Sequence, residues 1–199
     1  MKALTLICVL LSSCVIFLAG CEAMLVPYTS NPRTKLADAI VLIQDQNRPL
    51  PAERLIRDAI NTYKNEHDEF GLAQAYKMYG FFFRSPTVTS WEKFYTAHGF
   101  LDKTATWQER YQKSIQYYEM ANEIFASHQQ YDWMSNVDMK LAVVYLDLNN
   151  KDAACQEYDR ALYDSNRYKA LHPDATFQLP TGVSSMEQFV SQEKAKAGC

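Results

Sequence analysis

The chain has 199 residues, a formal net charge of −3 and 22% charged residues, with only six glycines and seven prolines. Its 20 basic residues against 23 acidic ones lack the Lys and Arg excess of a general nucleic-acid binder. The same composition excludes a disordered or collagen-like chain and leaves an ordered, helical protein of one domain or two small ones.

Met1-Lys2 supplies a short positive start, and Ala3 to Phe17 is almost unbroken apolar sequence. About fifteen residues is short for a membrane-spanning helix, which needs about twenty, so the stretch reads as a secretory signal. It ends Leu18-Ala19-Gly20-Cys21. This L-A-G-C run resembles the lipobox of bacterial lipoproteins. The resemblance implies cleavage after residue 20, a diacylglycerol on the Cys21 sulfur and an acylated amine. Cys21 would then be the lipidation site and membrane anchor, and three acyl chains exceed what stable anchoring requires. Glu22 stands where lipoproteins retained in the inner membrane of enterobacteria often carry Asp. The resemblance therefore leans towards the outer membrane, facing the periplasm.

By that resemblance Cys8 and Cys14 leave with the signal and Cys21 is lipidated. Cys155 and Cys199 remain, forty-four positions apart. They are either two free thiols or a disulfide tying the tail to the body. An exported, oxidising compartment favours the disulfide, worth about 2–4 kcal/mol by loop closure. Loss of Lys2 also takes the mature formal charge from −3 to −4.

Residues 21–34 read as a lipidated tether with two prolines. Helical spacing starts with Leu36, Ile40, Val41 and Ile43, and Asn47 to Pro51 breaks it. A second helix is predicted from Ala52, carrying Leu55, Ile56, Ala59, Ile60 and Tyr63 inwards, up to a polar turn at His67-Asp68-Glu69. A third runs from Phe70 to Phe83. The next regular helix covers 106–128, then come 131–148 and 151–169. The tail, 173–199, carries Leu179-Pro180-Thr181-Gly182 and the pattern of a short final helix near Met186–Ala195. No run of alternating residues points to a strand, so the expected class is all-α.

Leu141-Ala142 and Tyr145 precede a turn at Asn149-Asn150, followed by Ala154, Tyr158 and Ala161. This resembles the tetratricopeptide repeat, with L-G-x-x-Y in one helix and A-x-x-x-F-x-x-A in the next. Ala142 replaces the glycine and Tyr158 the phenylalanine. Asp138 stands at the first aromatic position, and Asn166 replaces the closing proline. Tyr76, Tyr79-Gly80 and Phe83 resemble another first helix, with Ser114, Tyr118 and Ala121 as its partner. A weaker pair is Ala37, Ile40 and Val41 with Ala52, Ile56 and Ala59. The resemblance implies a tetratricopeptide-like stack of about three antiparallel helical hairpins over 35–172.

The middle repeat is split. Gly80 and Ser114 are 34 positions apart where the repeat has twelve, so about 22 residues are inserted, around 85–105. The inserted stretch carries Trp91, Phe94, Tyr95 and Phe100, with Trp107 just beyond. Two readings stand. These aromatics form a partner-binding surface, with Trp91, Phe94, Tyr95 and Phe100 as the contact candidates. Alternatively they fold back and cap the core of the stack.

Catalytic signals are scarce. The four histidines, His67, His98, His128 and His172, lack metal-site spacing, and there is no G-x-S-x-G or phosphate-binding glycine loop. Glu119 and Glu123 share a helical face, but nothing in the sequence provides the apolar pocket that acid–base work needs. The expected function is therefore binding without turnover. No cofactor, metal, nucleic acid or small-molecule substrate is expected, and the partner is a protein of unknown identity. Such a lipoprotein would act as a scaffold or adaptor in envelope or secretion processes. The alternative is an immunity lipoprotein that neutralises a periplasm-targeted toxic effector such as a lipase.

Overall fold

Asn31 starts the first helix. Its side chain accepts hydrogen bonds from the Arg33 and Thr34 backbone N–H groups at 2.9 and 3.2 Å, and Pro32 provides the first helical residue. Helix α1 runs Pro32–Gln44 and buries Leu36, Ala39, Leu42 and Ile43. Val41, expected on that face, is exposed. The computed structural model describes residue 26 and residues 28–199. The predicted signal and Cys21 lie outside the described residues.

The break expected at Asn47–Pro51 is shorter than the prolines suggested. Helix α2 spans Pro49–Glu66 and takes both Pro49 and Pro51 into its first turn, where a helix needs no backbone donor. It ends at His67, in the left-handed region with φ 55°. Asp68 then caps α3 (Glu69–Arg84) by accepting from the Gly71 N–H at 2.8 Å. The insertion is helical in two short pieces. Ser85 caps α4 (Pro86–Ser90), α5 spans Glu92–His98, and Gly99 turns the chain with φ 71°. Helices α6 (Arg110–Ser127), α7 (Tyr131–Asp147) and α8 (Lys151–Leu171) follow. Asn149 supplies a positive φ at the turn between α7 and α8. Helix α9, Met186–Ala197, closes the chain, capped by Ser185. Among the described residues there are nine helices and no strand, so the chain is all-helical.

Neighbours in sequence pack as neighbours in space. α1 lies on α2, α2 on α3, α6 on α7, α7 on α8 and α8 on α9. The exception is α3, whose main partner is α6 across the insertion. Gly80 makes that approach close: a Cβ there would sit 2.9 Å from the Tyr118 ring and 3.1 Å from the Ser114 carbonyl. The Ser114 hydroxyl donates to the Gly80 carbonyl at 2.7 Å. Small residues do the same at α7 and α8, where Ala142, Ala154 and Ala161 are fully buried. α1 also touches α3, and α3 touches α7, so these three helices share one side of the array.

The aromatic residues of α3, α6 and the insertion form one cluster. The ring centroids of Tyr79, Phe83 and Tyr117 lie 4.6–5.8 Å apart, Phe100 lies 4.9 Å from Phe83, and Tyr95 stacks on Phe100 at 4.3 Å. The α9 helix packs Val190 against Ala142, Ala154 and Tyr158. A disulfide joins Cys155 to Cys199, with Cα atoms 5.9 Å apart, and ties the end of the chain to α8.

Candidate functional site

The four aromatic candidates of the insertion separate. Tyr95 and Phe100 are each 1% exposed and belong to the core. Their rings pack on Phe82 and Phe83, so they cap the stack's interior and present no free contact surface. Trp91 and Phe94 are half-buried, with ring centroids 5.8 Å apart, and Phe94 leads on to exposed His98 at 4.7 Å. One face of the insertion is thus core and the other is an aromatic edge.

A groove crosses α1, α3 and α7, with a volume of 250 Å³. Ile40 and Gln44 come from α1, Lys77, Met78 and Phe81 from α3, and Asn136 and Lys140 from α7, while Tyr118 of α6 lies at its base with its hydroxyl buried and without a hydrogen-bond partner. Helical spacing explains the arrangement. Tyr76, Tyr79 and Phe83 point into the core, so Lys77, Met78 and Phe81 face outwards between them. Asn136 and Lys140, four apart on α7, stack one turn above the other.

The groove is cationic in an acidic chain. The Lys77 ammonium sits 4.2 Å from the centre of the Trp133 ring and donates to the Asn136 side-chain oxygen at 3.4 Å. Burial, then the neighbouring Lys140, pulls its pKa down to about 8, against the pull of Asp132. Lys140 is exposed by area, yet the surrounding protein and then Arg84 also lower its pKa. Arg84, further along α3, is paired with Asp147 at 3.4 Å. A larger cleft of 590 Å³ lies between α8 and the tail, but its cation, Lys169, already donates to the Ala175 carbonyl at 2.6 Å.

Five acids are buried elsewhere, Glu53, Asp102, Asp138, Glu157 and Asp164. Glu53, on α2, is 2% exposed and accepts hydrogen bonds from the Tyr79 hydroxyl at 2.8 Å and the Leu101 N–H at 2.7 Å. Burial pushes its pKa up to about 7 despite those donors. Asp138 and Asp164 are hydrogen-bonded to each other across α7 and α8, which requires a shared proton. Burial is the main cause that pushes Asp138 up to about 8. Asn122 on α6 donates to Asp138 at 2.6 Å. Neither acid site opens onto either cleft described above. Among the described residues no group of three or more His, Cys, Asp or Glu side chains is arranged to hold a metal ion. Glu119 and Glu123 are both exposed.

Sequence reasoning did not single out Lys77 and Lys140. A lysine between inward-facing aromatics reads as an ordinary solvated position, and only the packing of α7 beside α3 brings the two together. Glu53 was equally hidden, because its partner Leu101 lies 48 residues away. Asp138 left a trace, as the acidic residue at an aromatic position of the repeat pattern.

The fold and the groove together define an all-helical array of hairpins with a cationic cleft across three of its helices. Comparison with protein-family models, with curated proteins and with solved structures gives no match to this chain.

Proposed function

We propose that this chain is a membrane-anchored periplasmic lipoprotein that binds a protein partner through a tetratricopeptide-like stack, as a scaffold or adaptor in envelope or secretion processes. The observation that carries the reading is the groove across α1, α3 and α7. In this reading α1/α2, α3/α6 and α7/α8 are three repeat hairpins, and their first helices line the binding face. Gly80 and Ala142 occupy matching close-approach positions in two of the hairpins, in keeping with that pattern. The anchor rests on Leu18-Ala19-Gly20-Cys21, with Cys21 as the lipidated residue. Binding, not turnover, suits a site whose polar groups are two amines, two amides and the Tyr118 hydroxyl, without a paired acid.

A second reading is an immunity lipoprotein, and the half-buried Trp91–Phe94 edge favours it as a dedicated contact surface. Two measurements test the proposal. Labelling cells with a palmitate analogue should mark the wild type and leave Cys21→Ser unmarked; label on the serine variant would remove the anchor. Crosslinked capture from envelope membranes should recover a stoichiometric partner. A secreted toxin as that partner would replace the adaptor reading with the immunity one.

A further inference from the structure

Two ammonium groups face the groove, and neither forms an ion pair with a carboxylate among the described residues. Lys77 touches the Trp133 ring and the Asn136 amide oxygen, and Asp132 favours its charge from beyond ion-pair distance. Lys140 stands on the opposite wall, near enough to disfavour the charge on Lys77, and Arg84 in turn disfavours the charge on Lys140. Like charges gathered on a partly desolvated surface raise the free energy of the unliganded chain. They do so in a chain whose net charge is −3. Between them lies an apolar floor of Ile40, Met78 and Phe81, all half-buried. Methionine and phenylalanine there offer an adaptable contact for one aliphatic or aromatic side chain.

We propose that the α1–α3–α7 groove takes an internal acidic segment of a partner protein, with Asp or Glu side chains against Lys77 and Lys140 and an adjacent apolar side chain on Met78 and Phe81. The inference rests on the partner-binding reading above and specifies its chemistry. Charge complementarity selects the occupant, because carboxylates neutralise the two ammoniums. The apolar floor requires a side chain beside the acid, which a free inorganic anion lacks. The segment is internal because the groove crosses three helices and has two separate cations to satisfy.

The test is a display selection of random twelve-residue segments on the full chain, purified in detergent. Selected sequences should be enriched in Asp and Glu next to an aliphatic or aromatic residue. A synthetic representative, amidated at its C-terminus, should lose at least about tenfold in affinity on Lys77→Gln/Lys140→Gln, and should weaken as salt rises. Lys140→Gln alone, at an exposed position, should lose affinity without altering helicity, which keeps the test valid if the double variant misfolds. Selected sequences without acidic enrichment, binding undiminished by the substitutions, or binding that needs a free terminal carboxylate would each overturn the proposal. So would tighter binding to anionic phospholipid vesicles than to the peptide. Crosslinked capture from envelope membranes separates the two levels of argument. A partner held equally by the wild type and the double variant removes the acidic-groove assignment and leaves partner binding standing. No partner in either removes the binding reading itself.

Discussion

The aromatic cluster around α3 and the α7–α8 hairpin solve the same packing problem in opposite ways. In the first, large rings from α3, α6 and the insertion fill the interior, and the buried carboxyl of Glu53 holds the insertion by accepting from Tyr79 and the Leu101 backbone. In the second, alanines bring the helices close, two acids share a proton, and a disulfide fastens the tail. Glu53 meets donors from both sides. Each region also holds buried polar atoms without a hydrogen-bond partner, the Tyr95 and Tyr118 hydroxyls in the first and one oxygen each of Asn122 and Glu157 in the second. A buried acid given phenol and backbone donors anchors a loop, whereas one given another acid depends on a retained proton.

This contrast breaks first at the rings. Phe100→Ala should cost about 3–5 kcal/mol in denaturant unfolding, because Phe83 and Tyr95 lose their partner and a cavity remains. A cost below about 1 kcal/mol would mean that the insertion is not part of the core. In the other region the strongest device is covalent. Cys155→Ser/Cys199→Ser should lower stability by about 2–4 kcal/mol and free α9 to proteolysis ahead of the rest. Unchanged protection of the tail would assign its docking to Val190 packing alone.

Glu53→Leu comes next. It leaves the Tyr79 hydroxyl and the Leu101 N–H without an acceptor, for about 2–3 kcal/mol, and hydrogen exchange at residues 99–105 should accelerate more than in α8. Equal acceleration in both would remove Glu53 as the local anchor.

The last effect is on pH. Glu53 and Asp138 keep their protons to about 7 and about 8 in the folded chain, while the unfolded carboxyls lose theirs near pH 4. The folded chain therefore binds more protons across that interval, and stability should fall as pH rises from 5 to 8.5. Asp138→Asn should flatten the upper part of this fall. Asp102 acts at the other end. Burial opposes its charge, but hydrogen bonds from Thr104 and Tyr117 overcome it and hold its pKa below the usual carboxyl range, so its contribution disappears only in acid. A stability curve that rises from pH 5 to 8.5 would overturn the assignment of retained protons.

Much of the array is legible from spacing. The inward faces of α2 and α3 follow from helical periodicity, while the small residues at Gly80 and Ala142 and the partnership of Tyr79-Gly80 with Ser114 and Tyr118 are what the repeat resemblance implied. The helix boundaries shift where local chemistry outweighs the pattern: Pro49 and Pro51 start α2 when taken as breakers, and Ser85-Pro86 nucleates a helix inside an insertion with no regular period. The groove was not legible. Lys77 and Lys140 are 63 positions apart, and each looks like a solvated lysine on its own helix.

The sequence by itself determined an all-helical chain, because 3.6-residue periodicity and capping residues are local properties that neighbours along the chain decide. It also offered Cys155 and Cys199 as an expected pair, and a disulfide joins them. Only the tertiary structure decided which aromatics of the insertion are core, since Tyr95 and Phe94 are adjacent in sequence and lie on different sides of a two-layer contact. Only it placed the two lysines in one groove and the acids Asp138 and Asp164 within hydrogen-bonding reach. Charge and burial at those sites depend on the distances between helices, and such distances are set by packing across the whole array.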